Sequence, residues 1–339
     1  MLHVKTDEIY GQNEVMNSND LRKHLVNIDS RFRSSYQEPP TDFLYRFAHT
    51  YKNVIKARVA SVEIPIGFYN FSKVKKNTMF RIDAMDYVGN QHYLQVTIPD
   101  GDYTNLTLIE EIQCQFNAIK DMYGIFFRIQ MNPVNRRVTI THDGSAPPPC
   151  PPGPTHCPVT FGLTFMMVGL ENRPYDFGLG YNLGFAKQFY GVEAPFSITG
   201  ESLINTQGDN YFLLAIDDFH TVEHQTAETY IQCLAKILIK KDHTNGIIFD
   251  DGYTVLSNEI VFPRPIDLKQ VRVRLLDMYG VPIDLHHLNF SISLEITEVM
   301  NIQLYDNYRK YLWTKEEPRA IKQTSGSSAG IAPPAMNFN

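Results

Sequence analysis

Hydrophobic and polar residues alternate along the last third of the chain. In YIQCLAKILIKK the apolar positions include Ile231 and Cys233 and recur at every second residue, and in NFSISLEIT they include Phe290 and Ile292. A period of two is typical of a β-strand with one buried face. Such segments follow one another over 210–299, with Gly, Pro and Asp between them, so this region predicts an antiparallel β-sandwich.

The same alternation occurs near the N-terminus, in VIKARVASVEIPIG. Ile55 and Ala57 share one face and Lys56 and Arg58 share the other, and the Pro and Gly that follow end the strand. The strands predicted over 42–67 are too few to form a stable sheet alone. We therefore expect them to complete the sheets formed further along the chain, which gives about eight strands, the number in a jelly roll.

The middle of the chain has a different pattern. The segment LTLIEEIQCQFNAIK carries Leu108, Ile112 and Phe116 at helical spacing and predicts an amphipathic helix. The segment FFRIQMNPVNRRVTITHD, with two alternating runs around Asn-Pro-Val-Asn, predicts a hairpin. The predicted fold is therefore mainly β, a single jelly-roll β-sandwich with an inserted smaller α+β domain.

The predicted organisation has four parts. Residues 1–35 are polar and predict an N-terminal arm that becomes ordered against neighbours, with a brief helix in LRKHLVNIDSRFR as the alternative. The sandwich is discontinuous and takes 36–90 and 206–318, and the inserted domain takes 91–205. The low-complexity end, SGSSAGIAPPAMNFN, predicts a flexible C-terminal tail over 319–339.

The charge of the chain argues against a protein that coats nucleic acid. Its formal net charge is −6 at pH 7, whereas proteins that neutralise phosphates are usually basic. Lys73, Lys75 and Lys76 could form a local basic patch, but a solvated loop tip explains them equally simply. We expect no direct contact with nucleic acid.

No run of about 18 apolar residues is present, so the sequence predicts no transmembrane helix. The first residues, MLHVKTDEIYGQNE, carry acidic side chains where a signal peptide needs an apolar segment. We therefore expect the protein to be made and used on the cytosolic side of the membrane.

Two cysteines flank a Pro-rich segment in the middle of the chain. Cys150 and Cys157 border PPGPTH, with His156 adjacent and His142 nearby. Zinc sites usually use CxxC or HxxxH pairs, and this spacing is not one of those patterns. A disulfide between Cys150 and Cys157 would close the loop, although a reducing compartment opposes it, and a surface loop with free thiols is the third interpretation.

A second polar cluster lies in IDDFHTVEH. Asp217, Asp218, His220 and His224 could bind a metal or act in acid–base chemistry. They follow the end of a predicted strand, where polar residues are common in any case. The chain contains no P-loop, GxSxG, HExxH or kinase motif. We expect no catalytic, cofactor-binding or metal-binding residues, and no enzymatic activity.

A set of short motifs follows in order over most of 25–300. They are VNIDSRFR, IPDGDYT followed by LTLIEEIQCQFN, the later LGF, and LKQVRVRLLDMYGVPIDLHHLNFSISLEI. Together they resemble capsid proteins of giant icosahedral double-stranded DNA viruses, and the similarity is to the minor capsid and vertex (penton) proteins of these viruses. Each motif is short, and their joint order makes the resemblance specific.

The resemblance implies a jelly-roll protein without catalysis that works in the shell of a virion assembled in the host cytoplasm. A penton protein would form a homopentamer at a vertex, often with an outward insertion such as the one predicted here. A minor capsid, or cement, protein would instead lie under or between capsomers of the major capsid protein. Its partners would be those capsomers and other minor capsid proteins, close to an inner membrane that it does not span. The compact insertion favours the penton position.

An interpretation of another class is a binding module that recognises a glycan or receptor. It rests on tyrosines in the predicted insertion and just before it: Tyr87, Tyr93, Tyr103, Tyr175 and Tyr181. Glycan binding would require several of these rings in one exposed cleft.

Overall fold

The computed structural model describes residues 20–86, 90–123, 125–142, 158–165, 178–191, 197–217, 219–225, 230–239, 246–250 and 259–310. The strands of the first half are β1 (Leu21–Asp29), β2 (Asp42–Pro65), β3 (Met79–Asp86), β4 (Gln91–Thr97), β5 (Phe127–Met131), β6 (Val138–His142), β7 (Pro158–Thr164), β8 (Phe189–Tyr190) and β9 (Ser197–Thr199). Those of the second half are β10 (Tyr211–Ile216), β11 (Val222–Gln225), β12 (Tyr230–Cys233), β13 (Ala235–Leu238), β14 (Ile247–Asp250), β15 (Ile260–Leu276) and β16 (Ser291–Val299). The α-helices are α1 (Asn105–Tyr123), α2 (Leu179–Asn182) and α3, which is described over 302–310.

The largest sheet has seven antiparallel strands in the order β1-β16-β2-β15-β10-β13, with β14 beside β2. Its centre is β2, a strand of 24 residues that pairs with β15 through its first part and with β16 through its second. The register of β2 with β15 shifts three times between Val261 and Gln270, where Pro263 and Pro265 lack the N–H that a regular ladder needs. These irregularities allow the sheet to curl around its own side chains.

The core inside this sheet contains the inward residues of each strand. Phe43, Phe212, Leu214, Val273 and Leu294 are at most 1% exposed and belong to one hydrophobic cluster. The period-two pattern explains this placement, since every second side chain of a strand points to the same face. The expectation of a mainly β chain is confirmed: the sheets are antiparallel and curled, and helices are few in the described residues.

One central strand is buried on both faces. Leu213 and Ala215 of β10 point away from the main core and pack with Cys233 and Leu276 in a second, smaller cluster. The β11–β12 hairpin contributes Val222 and Ile231 to this cluster and so covers the outer side of the sheet. This cover explains why YFLLAI is apolar at consecutive positions.

A separate hydrophobic cluster lies between residues 71 and 204. Leu108, Ile112 and Phe116 form the buried stripe of α1, which packs on β4 and β5. The strands of this unit form a four-stranded sheet, β4-β3-β7-β8, and a three-stranded sheet, β5-β6-β9. The middle of the chain therefore builds an α+β unit around its own core.

The structure places the start of this unit earlier than residue 91. β3 pairs with β4 and β7, and its Phe80 and Ile82 are buried in the hydrophobic cluster of the α+β unit. The predicted border at 90/91 therefore lies too late in the chain, because a pattern of alternation does not identify the sheet that a strand joins.

The predicted N-terminal arm is also wrong for part of 1–35. β1 pairs with β16 along its full length, from Leu21 opposite Val299 to Asp29 opposite Ser291. Val26 and Ile28 face the main core, while Arg22 and Lys23 are exposed and hide the alternation in the sequence. Residues 1–19 and the tail at 319–339 lie outside the described residues. Among the described helices, none combines the length and the hydropathy of a membrane-spanning segment.

Candidate functional site

The cysteine pair that the sequence singled out cannot be placed. Cys150, His156 and Cys157 lie outside the described residues, so the disulfide, zinc and free-thiol interpretations all stay untested. His142 ends β6 and its ring contacts Phe127 at a centroid distance of 5.9 Å.

The polar residues of IDDFHTVEH point to different neighbours. Asp217 adopts a positive φ of 41° and accepts a hydrogen bond from the Arg272 backbone N–H at 2.8 Å. His224 Nε2 lies 2.9 Å from the carbonyl oxygen of Met278, and Asp218 lies outside the described residues. Within the described ranges, no three His, Cys, Asp or Glu side chains are grouped as metal ligands would be. Asp217 therefore joins the end of β10 to β15, and His224 joins β11 to the turn that follows β15.

Of the lysines at 73, 75 and 76, the first and the last are exposed, whereas Lys75 is drawn into an ion pair. Lys75 pairs with Asp209 at 2.9 Å, and both side chains are less than one-fifth exposed. Its ammonium group also lies 5.9 Å from the ring centroid of Phe68. Lys75 therefore ties the chain leaving the main sheet to the chain returning to it.

The motif VNIDSRFR forms a buried joint at one end of the large sheet. Ser30 is fully buried, and its hydroxyl accepts a hydrogen bond from Phe290 N and donates one to Asn289 Oδ1. Ser30 N donates in turn to the Phe290 carbonyl at 3.0 Å. Arg33 also donates to Asn289 Oδ1. Four polar contacts thus join the start of the chain to LNFSISLEI near its end, and we call them the β1–β16 joint.

A buried carboxylate completes the β1–β16 joint. Asp29 is 4% exposed, and its carboxylate accepts hydrogen bonds from the backbone N–H and the guanidinium of Arg31. Burial raises the pKa of Asp29, but the hydrogen bonds and charge of Arg31 outweigh it, so the pKa lies below its usual value. The motif therefore keeps a charged group where the chain leaves β1.

The motif IPDGDYT performs a similar role between the two units. Asp102 accepts a hydrogen bond from Asn70 N at 2.7 Å, Asp100 accepts one from Lys73 N, and Gly101 pairs with Phe71. Thr206, on the returning segment, accepts a hydrogen bond from the Asn70 side chain. We call residues 68–78 and 204–210, which carry the chain between the units, the neck.

The outer side of the large sheet, which the β11–β12 hairpin covers at β10, is open at β1, β16 and β2 and carries a charged network there. Glu295 of β16 accepts hydrogen bonds from Lys23 of β1 at 3.1 Å and from Arg58 of β2 at 2.7 Å. The hydrogen bond from Arg58 lowers the pKa of Glu295 more than burial raises it, and the hydrogen bond and charge of Lys23 lower that pKa further. This network joins three neighbouring strands. We call the side of the sheet that carries it the outer face.

Exposed apolar residues border the network on the outer face. Leu25 lies opposite Glu295 and is 68% exposed, and Val261 lies opposite Lys56. Ile247 and Phe249 of β14 are each 55% exposed at the other end of the face. Among the described strands β1 pairs only with β16, so its second edge carries unpaired backbone groups. Open edges and scattered apolar side chains of this kind can accept a partner.

Of the five tyrosines behind the binding-module interpretation, the three that the structure describes do not converge. Tyr93 is exposed on β4 beside Arg81, whereas the ring of Tyr103 packs against Phe71. Tyr181 lies on α2 and lines a groove that neither of the other two lines. Tyr87 and Tyr175 lie outside the described residues.

The sequence alone did not identify the hydrogen bonds by which Ser30, Asn289 and Asp102 hold distant segments together. Their only signal is membership of the motifs that carry the family resemblance, because a small polar residue has no periodicity of its own.

Comparisons with known proteins give a likeness among solved structures but not among families or curated proteins. No family model matches the chain, and no curated protein matches it. Among solved structures, the chain is similar to the crystal structure of the penton protein of mavirus, with 8% sequence identity and a TM-score of 0.39. The similarity covers 82% of this chain and 99% of that chain.

Proposed function

We propose that this chain is a structural subunit of an icosahedral viral capsid and that five copies form a ring at each vertex. In this proposal the large curled sheet is the jelly roll of the shell, and the α+β unit is an insertion that projects from it. The partners are four further copies of the chain, the surrounding major capsid protein capsomers and other minor capsid proteins. The protein acts without catalysis, in a virion assembled in the host cytoplasm.

The proposal rests on one observation: motifs that resemble capsid proteins contact one another in the folded chain although they lie far apart in sequence. VNIDSRFR and LNFSISLEI are more than 250 residues apart, yet they share the hydrogen bonds of the β1–β16 joint. IPDGDYT holds the neck through Asp100 and Asp102. Motifs that fix the joints of a framework are expected to be shared by proteins with the same framework. This placement supports a family likeness in architecture rather than in chemistry.

The outer surface offers the two different patches that a ring requires. In a ring, one patch on each subunit meets a different patch on the next, because the contact is heterologous. The open edge of β1 with Leu25 is one candidate, and β14 with Ile247 and Phe249 is the other. Both combine backbone or apolar groups with nearby charges, a composition that suits subunits that first exist free and later assemble.

Electron microscopy of the concentrated protein tests the proposal. We expect class averages of rings with five-fold symmetry, and we expect Phe249→Asp to reduce them strongly, since a charge would be buried at the contact. Val134→Asp is the matched control, because Val134 is 91% exposed on the hairpin of the insertion, away from β14. Rings that survive Phe249→Asp would contradict the patch assignment. Two-fold particles would contradict the ring itself.

A minor capsid position is the alternative within the same class. It would give single subunits in solution that bind only to preformed capsomers. The binding of monomers to purified major capsid protein, without any ring at high concentration, would favour that position.

A further inference from the structure

A groove lies in the α+β unit, and the first residues of the returning part of the neck form one of its walls. It has a volume of about 590 Å³ and lies between the α2 turn and the returning segment 202–207. Asn105, at the start of α1, and Arg136, in the β5–β6 hairpin, complete it. Volumes of roughly 300–1,000 Å³ are usual for sites that bind small molecules.

Backbone hydrogen bonds hold the two walls of this groove together. Ser202 N donates to the Gly184 carbonyl at 2.8 Å, and Asn205 N donates to the Asn182 carbonyl at 2.7 Å. Ile204 N donates to the carbonyl of Arg136 at 3.0 Å. Since each wall is fixed by main-chain contacts, the groove is formed before any ligand arrives, which lowers the entropic cost of binding.

The charge of the groove is positive, although the chain as a whole is acidic. Arg136 is the one charged residue among the lining residues, and none of them carries a carboxylate. Within the described part of the chain, the Arg136 guanidinium makes no hydrogen bond or ion pair. Glu201 lies beside the groove, but its carboxylate already accepts hydrogen bonds from Tyr190 and from Ala186 N. A carboxylate is therefore the group that would best pair with Arg136.

The remaining lining residues are suited to a hydroxylated ring. Tyr181 is 44% exposed, and its ring and hydroxyl have no partner among the described residues. Asn105 and Asn205 add amide groups, and Phe185 and Leu203 add apolar surface. An exposed aromatic ring with amides beside it can contact the C–H face of a sugar and bind its hydroxyl groups.

We propose that this groove binds an acidic saccharide, with the sugar carboxylate paired to Arg136 and the sugar ring against Tyr181. The ligand class is a carboxylated pyranose, whether a sialic acid or a uronic acid. The site lies within one chain, so it goes beyond the proposed capsid role and does not depend on ring formation.

Titration of the full-length protein, followed by saturation-transfer NMR, tests this site. The probes are the methyl glycosides of N-acetylneuraminic acid and of glucuronic acid, with neutral methyl glucoside as the comparison ligand. We expect at least one acidic sugar to bind about tenfold more tightly than the neutral one, since a charge-assisted contact is lost without the carboxylate. The acidic sugar that binds identifies the source.

Two variants and one control assign the contact. Arg136→Gln should weaken acidic-sugar binding about tenfold and remove the preference over the neutral sugar. Tyr181→Ala should weaken both kinds of sugar. Arg264→Gln changes an exposed arginine of β15, outside the groove, and should change neither. A thermal melting curve of each variant shows whether it is folded. The particle mass of each variant reports ring formation separately, so a failure of sugar binding is distinguished from a failure of the capsid proposal.

Three results would overturn the proposal. They are the absence of saturation transfer to both acidic sugars, equal binding of the neutral sugar, and unchanged binding by the folded Arg136→Gln variant.

Discussion

At the scale of single residues, buried polar side chains that hydrogen-bond distant segments of the chain contribute to the free energy of unfolding. Ser30 is the clearest case, because its hydroxyl is the hydrogen-bond acceptor for Phe290 N in a fully buried position. Ser30→Ala would leave that N–H without its partner. A buried donor left unsatisfied costs about 1–3 kcal/mol, so we expect the free energy of unfolding to fall by that amount in urea denaturation.

Ser293→Ala is the control for this substitution. Ser293 lies on the outward side of β16, is half-buried, and makes no side-chain hydrogen bond with the described residues. It should change the free energy of unfolding by less than about 0.5 kcal/mol. Equal effects of the two substitutions would contradict the special role of Ser30.

Gly184 is required by backbone geometry at the wall of the groove. Its φ is +86°, and an added Cβ would lie 2.4 Å from the carbonyl oxygen of Ser202. We expect Gly184→Ala to lower the free energy of unfolding by about 2 kcal/mol or more, from the unfavourable φ and the clash together. Gly191→Ala, which meets no atom within 4 Å, should be nearly neutral in the same urea titration. A neutral Gly184→Ala would show that the wall can shift.

Residue roles were the least predictable part of this chain. Asp217 and His224 suggest a site because acids and imidazoles lie close together in sequence, yet Asp217 bonds to β15 and His224 bonds to the turn after β15. Ser30 and Asn289 suggest no site in the sequence, although their side chains form a hydrogen bond at the end of the sheet. Pairing between distant residues is set by sheet register, and the local sequence does not encode it.

At the scale of elements, Glu295 links β1, β16 and β2 by ion pairs. Its folded pKa lies below the unfolded value of about 4.3, so it stabilises the fold above that pH and loses this effect as pH falls through the folded pKa. We expect Glu295→Gln to lower the free energy of unfolding by about 1 kcal/mol or less near pH 7. Urea titrations at several pH values should show the difference from wild type shrinking towards pH 3.

Glu259→Gln is the matched control, since the Lys56–Glu259 pair has two partners that are about one-third exposed. It should cost less than about 0.5 kcal/mol near pH 7. A wild-type difference for Glu295→Gln that stays constant or grows in acid would contradict the assigned network.

The neck gives a prediction about local motion. Asp102 accepts the hydrogen bond of Asn70 N where the chain leaves the large sheet. Asp102→Ala should speed the hydrogen exchange of amides around residue 70, because that N–H loses its acceptor, while the amides of β16 stay protected. Hydrogen-exchange mass spectrometry measures both regions at once. Faster exchange throughout the chain would mean that Asp102 supports the global fold and not the neck alone.

Strand and helix positions followed from the sequence better than their partners did. The period of two located β15 and β16, and the helical spacing located α1. The predicted domain range 36–90 placed β3 in the wrong unit, and the lack of clear alternation in 1–35 left β1 out of the sheet. Alternation reports that one face of a strand is buried but not which strand lies beside it.

At the scale of the whole molecule, two hydrophobic clusters divide the chain into a curled sheet and an α+β unit. The first cluster joins residues 28–68 to 212–296, and the second lies within 71–204. Long-range closure of this kind follows from the need of 42–67 to find further strands, which is why the discontinuous sheet could be anticipated. The border between the two units could not be predicted in the same way. Side-chain hydrogen bonds hold the neck in place, and the amino-acid composition does not change there.

The central claim is that five copies of this chain form one closed particle, and the mass of the purified protein in dilute solution tests it most directly. With a subunit of 38.9 kDa, mass photometry should give a peak near about 195 kDa. A single peak at the mass of a dimer or a tetramer would contradict the claim, because neither can supply a ring with five-fold symmetry.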